Sequence, residues 1–321
     1  MRKTSAMVEA GILAAVAIVM ALISMYVPVV GVFVNFLWPL PVIICGMRHG
    51  LRWSFMMLLV AAVILAMLIS PVNAFFLAVI FGLLGLVLGE CLRRNLNFEQ
   101  TLFFGSIGAA TALGLNFALS LLLLGINPIE MMFTSFHESL GQLTAYYQGQ
   151  GMAEAEIKKI VDEYSELLRM MRMIMPGAFL LCAPLLVCLN HWAARKILSR
   201  LGETFAPWPK FSRLLIPGWI LWPYGASLLA VTYFYLHHQD SWMYIASVNV
   251  QTVCSFVLVL QGISLIYWFV ETKDKPSWWA SLAVAAVLLL PFMSQIIVYA
   301  GACDIVFDFR KLRGNSLLSK G

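Results

Sequence analysis

Charged residues are scarce in this sequence: they make up 12% of its 321 residues, whereas hydrophobic residues make up 61%. A soluble globular domain carries about 25% charged residues, so the composition excludes that class. Apolar runs of roughly 17 residues or more recur from end to end, and each can cross the hydrocarbon core of a bilayer, about 30 Å thick, as an α-helix. We therefore predict an all-α, polytopic transmembrane helical bundle embedded in the lipid bilayer.

Motifs for nucleotide binding and catalysis are also missing. The sequence has no G-x-x-x-x-G-K-[ST], G-x-S-x-G or H-E-x-x-H, which argues against a P-loop ATPase and common hydrolase types. The acidic residues of the apolar runs, Glu9, Glu90, Asp304 and Asp308, lie near the ends of those runs, whereas a proton-coupled carrier needs an ionisable group near mid-membrane. We expect Asp304 and Asp308 to form ion pairs with the basic residues that follow them, at the cytoplasmic interface. We expect no enzyme activity and no cofactor.

Metal-ligand patterns are weak. The six cysteines include no C-x-x-C pair, so we interpret them as small core residues. His237, His238 and Asp240 are close in sequence, but adjacent histidines without a third well-spaced ligand are poor evidence for a metal. We predict no metal site.

The net charge of +5 comes from small basic clusters between apolar runs, which is a topology signal and not the basic stripe of a nucleic-acid-binding protein. If the N-terminus is cytoplasmic, most of the 21 Lys and Arg residues fall in inner loops. We predict this orientation in a bacterial cytoplasmic (inner) membrane, with a cytoplasmic C-terminal tail and residues 126–172 outside.

The apolar runs predict about 8 to 10 spans. Residues 29–41 contain Pro39 and Pro41 and are expected to form a structured outer loop. The last run is about 48 Å long as one helix, with Pro291 near its middle, and it fits either a hairpin or a single kinked helix. The runs cover residues 7–28, 33–47, 51–70, 73–92, 101–125, 173–199, 214–236, 243–271 and 277–309.

Three regions follow from this pattern: a five-helix membrane region at 1–125, an insert at 126–172, and a C-terminal membrane region at 173–321. The insert contains two amphipathic stretches joined by the Gly-rich QGQG, which predicts an extracytoplasmic helical hairpin. That hairpin can cap the bundle, lie on the membrane surface or contact a partner.

Two sets of residues are candidate sites. Asn35, Asn73 and Asn116 fall toward the predicted outer half of the membrane, with Trp38 beside the first. They can orient a small ligand by hydrogen bonds in an aromatic-walled pocket, or they can link helices. Small residues form the second set.

Pairs of small residues four positions apart allow helices to approach closely. In the stretch EAGILAAVAI these pairs are Ala10 with Ala14 and Gly11 with Ala15. Such a face packs against the rest of the chain or holds a partner helix.

The stretches EAGILAAVAIVMALISMYVPVVG, WPLPVIICGMRHGLRWSF and FGLLGLVLGECLRR resemble the substrate-binding (S) subunits of energy-coupling-factor transporters. This resemblance implies that Ala10 and Ala14 dock a transmembrane coupling subunit and that a ligand binds near Asn73 and Asn116. The whole chain, with its insert and its GACDIVFDFRKLR ending, resembles the YybS-like family of polytopic bacterial membrane proteins.

Two functional hypotheses result. The first is capture or transport of a small vitamin-like molecule or metabolite, with energy supplied by a separate coupling partner or an ion gradient. The alternative is a non-transporting membrane scaffold in cell-envelope assembly.

Overall fold

The computed structural model describes residues 2–205, 207–238, 241–276 and 278–312. Within these ranges the chain forms thirteen α-helices and no β-strand, which confirms the predicted all-α class. The predictions for Asp240 and for the tail beyond residue 312 lie outside the described residues. The helices are α1 (Arg2–Tyr26), α2 (Val30–Phe36), α3 (Leu40–His49), α4 (Leu51–Leu68), α5 (Pro71–Leu77), α6 (Leu83–Arg93), α7 (Phe98–Leu119), α8 (Pro128–Gly149), α9 (Glu154–Arg200), α10 (Leu221–His237), α11 (Trp242–Thr272), α12 (Trp278–Leu289) and α13 (Pro291–Phe307).

Seven helical stretches of the described chain are long and apolar enough to cross a membrane. An eighth candidate is the pair α12 and α13, bent by 116° at the break before Pro291, where the sequence predicted a bend. Helix α10 has 17 residues, which is the lower limit for a span. The seven stretches are Thr4–Tyr26, Val30–His49, Leu51–Leu68, Pro71–Arg93, Phe98–Leu124, Glu154–Arg200 and Trp242–Thr272.

Helix α9 is the longest element, with 47 residues. At 1.5 Å per residue it is about 70 Å long, more than twice the roughly 30 Å hydrocarbon core. It must therefore extend beyond the hydrocarbon, and its first half carries most of its charged residues. The predicted boundary at 172/173 falls inside this helix, and the placement of residues 126–172 outside the membrane remains a prediction.

The chain divides into two compact units. Unit 1 contains Met1–Tyr164 and Leu180–Pro207, and unit 2 contains Ser165–Phe179 and Trp208–Gly321.

In unit 1, α1 packs against α3 and α4 through a stripe of alanines. Ala10 and Ala14 are 6% and 3% exposed and belong to the same core cluster as Ala17 and Trp38. Their small side chains let the backbone of α1 come close to the indole of Trp38, which donates a hydrogen bond to the Ala17 carbonyl at 2.9 Å. The chain itself covers the face of Ala10 and Ala14, as the alternative of packing against the rest of the chain predicts, and docking of a partner at that face remains a prediction.

In unit 2, an ion pair fixes the segment before α10. The guanidinium of Arg310 lies 2.7 Å from the carboxylate of Asp304, with the two side chains 0% and 2% exposed. Arg310 also donates to the carbonyls of Ser212 and Leu214, at 2.7 and 2.9 Å, and Gln261 donates to Asp304 at 2.6 Å. The predicted pairing of Asp304 is confirmed, but it is buried within the unit.

The alanine stripe of α1 generates a stability prediction. Replacing Ala14 by Leu adds bulk to a filled core and should cost about 1–3 kcal/mol, whereas the same change at the exposed neighbour Ala15 should stay within about 0.5 kcal/mol. Unfolding of both variants in detergent measures the difference. Equal stability of the two variants would contradict the internal packing of Ala14.

Candidate functional site

A cleft of about 270 Å³ lies in unit 1, among the ends of α1, α2 and α4 and parts of α5 and α7. Its volume is just below the range of about 300–1,000 Å³ that is usual for small-molecule pockets. Its lining consists of Ser24, Met25, Asn35, Leu65, Ile69, Asn73, Ala74, Phe76, Leu77, Ile80, Phe81 and Asn116.

Three asparagines from separate helices meet at this cleft. Asn35 comes from α2, Asn73 from the first turn of α5, and Asn116 from α7. All three were predicted from the sequence as ligand-binding candidates, and the structure brings them together around one space. Whether they bind a ligand remains a prediction.

Trp38, the fourth predicted residue, lies behind the wall of the cleft. Its side chain is 0% exposed, and its ring centroid is 6.4 Å from that of Phe81, which lines the cleft. Because its indole N–H is bound to the Ala17 carbonyl, Trp38 supports Phe81 and is not itself available to a ligand. Trp38 therefore packs behind the cleft wall and does not line the cleft, which differs from the prediction that it contacts a ligand.

The connection from α4 to α5 sets the position of Asn73. Ser70 has an extended backbone, and its hydroxyl accepts the backbone N–H of Asn73 at 3.1 Å. Pro71 then begins α5, where its missing N–H and fixed φ suit the first helical position. This capping places Asn73 in the first turn of α5, beside the cleft.

A π-helical segment, Ala78–Gly82, follows α5 and contributes Ile80 and Phe81 to the lining. Such segments are rare and occur frequently at functional sites. The amide of Asn116 donates to the carbonyl of Phe76, just before the segment, at 3.4 Å. The sequence reasoning missed this segment, because no hydrophobic period distinguishes it from the α-helix on either side.

The cleft is uncharged and lined by amide and apolar groups. Among the described residues that line it, none is acidic or basic. Each asparagine side chain offers two N–H donors and one carbonyl acceptor, and the rest of the lining is apolar or aromatic apart from Ser24. Since burying a charge without a partner is costly, this lining suits a neutral molecule that has both polar and apolar parts.

Comparison with known proteins identifies the family. The sequence matches the family described as "Predicted membrane protein (DUF2232)" over residues 15–305. The chain belongs to this family. It is 24% identical over 310 residues to "Uncharacterized protein YybS" of Bacillus subtilis (strain 168), an alignment that covers 97% of this chain and 99% of that protein. No solved structure matches.

The DUF2232 match confirms the predicted YybS-like membership, whereas these comparisons do not show the resemblance to transporter S subunits. The matched residues include all three cleft asparagines but begin after Ala14. The amide cleft therefore lies within the matched residues.

Other asparagines of this DUF2232 protein hold helices together. In unit 2, the amide oxygen of Asn249 accepts the N–H of Gly177 at 2.5 Å, and its amide nitrogen donates to the Met173 carbonyl at 2.7 Å. By contrast, the side chains of Asn35 and Asn73 form no hydrogen bond with any described residue. The side chains of Asn35 and Asn73 therefore have open donors and acceptors, the side chain of Asn116 has one long hydrogen bond, and Asn249 links helices.

This contrast predicts different stability effects of the same substitution. Replacing Asn249 by Leu should cost about 1–3 kcal/mol, because it removes the partner of buried backbone groups. The corresponding changes at Asn35, Asn73 and Asn116 should each cost less than about 1 kcal/mol, because a 3.4 Å hydrogen bond at most is lost. Thermal unfolding in detergent measures the four variants. A large loss at all three cleft positions would show that these amides link helices.

Proposed function

We propose that this DUF2232 protein captures a small neutral molecule in the amide-lined cleft of unit 1. The observation that carries the proposal is the convergence of Asn35, Asn73 and Asn116, from three helices, on one uncharged cleft of about 270 Å³. Ligand pockets are typically apolar and aromatic with a few polar groups that fix orientation, and this lining has that composition.

The chemistry of the lining defines the class of ligand. Asn73 and Asn116 provide donors and acceptors for carbonyl, amide or hydroxyl groups, while Phe76 and Phe81 offer aromatic surface to an apolar or ring-containing part. A vitamin-like molecule or metabolite without net charge, small enough for the cleft or only partly enclosed by it, meets these requirements.

The proposed direction of capture follows from the charge pattern. With the N-terminus in the cytoplasm of a bacterial inner membrane, α1 ends and α5 begins at the outer side, and the cleft lies at those ends. The ligand then enters from outside the cell. Active transport needs an energy source in another protein or an ion gradient, because the sequence has no P-loop. The proposed role is binding, without catalysis.

A scaffold in cell-envelope assembly is the second candidate, and one observation favours it. Gly11 and Ala15 lie on an exposed face of α1, and a side chain at Gly11 would meet no other atom within 4 Å. A pair of small residues on an open helix face permits close approach of a partner helix. This face is exposed, whereas the face of Ala10 and Ala14 packs against the chain's own helices.

A ligand screen on the purified full-length protein tests the capture proposal. We expect at least one neutral metabolite from a broad library to raise the melting temperature of the wild type. The double substitution Asn73→Leu and Asn116→Leu should abolish this shift, because it removes the amides that orient the ligand.

Replacing Gln142, an exposed amide on α8, by Leu is the matched control and should keep the shift. A shift that survives in the double variant would place binding elsewhere. No shift with any neutral compound, together with a membrane protein that co-purifies with the wild type and is lost in Ala15→Leu, would overturn capture in favour of the scaffold.

A further inference from the structure

A second, larger groove lies in unit 1, away from the amide cleft. Its volume is about 440 Å³. It runs beside α6 and is bordered by the start of α4 and by α7. Its lining consists of Leu51, Leu83, Leu86, Val87, Glu90, Cys91, Arg94, Leu96 and Phe104.

The dimensions of this groove suit a single extended hydrocarbon chain. The lining follows α6 from Leu83 to Arg94, the residue after its last turn, a distance of about 16 Å at 1.5 Å per residue. That is roughly half of the 30 Å hydrocarbon core, the depth of one leaflet. Its volume of about 440 Å³ leaves room for an extended acyl chain along this length.

One end of the groove carries a net positive charge. The carboxylate of Glu90 is shared by two guanidinium groups, at 3.0 Å from Arg93 and 2.7 Å from Arg94, so the three residues keep a net positive charge. The Arg93 guanidinium also lies against Gly50, two residues before the exposed Arg52. The apolar lining therefore ends at a cluster that attracts an anion.

We propose that this groove binds an anionic phospholipid, with one acyl chain along α6 and its phosphate at Arg93 and Arg94. Guanidinium groups bind phosphate through paired, charge-assisted hydrogen bonds. The charged end of the groove is the predicted cytoplasmic end of α6. The cytoplasmic leaflet is the one whose surface carries negative charge from anionic lipids. A zwitterionic lipid fits the apolar part equally well but does not complement the charge.

Native mass spectrometry of the full chain tests this site. The protein is purified in detergent and supplied with equal amounts of phosphatidylglycerol and phosphatidylcholine of the same chain length. The wild type should retain phosphatidylglycerol at least about fivefold over phosphatidylcholine, and the double substitution R93Q and R94Q should reduce this ratio to near one.

The control is the double substitution K273Q and K275Q, which removes the same charge from the end of α11 and should keep the preference. Glu90→Gln removes the competing carboxylate and should strengthen the preference, which a purely structural role of these three residues would not do. Leu83→Trp should reduce retention of both lipids by filling the groove. Equal retention of the two lipids by the wild type, or an unchanged preference in R93Q and R94Q, would overturn the proposal.

Discussion

In hydrocarbon, every buried polar group must find its partner inside the protein, because no water is available to replace it. Much of this structure follows from that constraint. The indole of Trp38 is bound to a carbonyl of α1, and Asn249 satisfies backbone groups of α9 beside Pro176, a residue that cannot donate a hydrogen bond. In unit 2, Arg310 pairs with Asp304 and donates to the carbonyls of Ser212 and Leu214, in the segment before α10.

The amides of the cleft lie on a more open surface, because Asn73 is exposed and Asn35 is half-buried. Asn35 and Asn73 form no side-chain hydrogen bond with a described residue, and the one bond of Asn116 is long. Because these two side chains are not fully buried, their donors and acceptors are open to a molecule that enters the cleft. The adjoining π-helical segment forms part of the wall that the proposed ligand would contact.

The apolar runs predicted the all-α class and most of the long helices, but not the helix at Val30–Phe36, where a loop was expected, nor the start of α9 at Glu154. The three asparagines chosen from the sequence line one cleft, and their binding of a ligand remains a prediction. Contacts between residues far apart in the sequence could not be predicted from these patterns. The run at 214–236 predicted helix from its start, yet α10 begins at Leu221, because Gln261 and Arg310 bind the backbone of the preceding segment. Small-residue spacing showed that α1 packs closely, but not that its own chain supplies the neighbour of Ala14. Likewise, residue type alone does not distinguish Asn249 from Asn73.

We propose that the three cleft asparagines together bind a small molecule. The most direct measurement is mass spectrometry of the small molecules released from protein purified out of its own membrane, comparing the wild type with a variant that carries Leu at positions 35, 73 and 116. We expect a neutral compound that is enriched with the wild type and absent from the triple variant, although both fold. Identical small-molecule content in the two samples would contradict it.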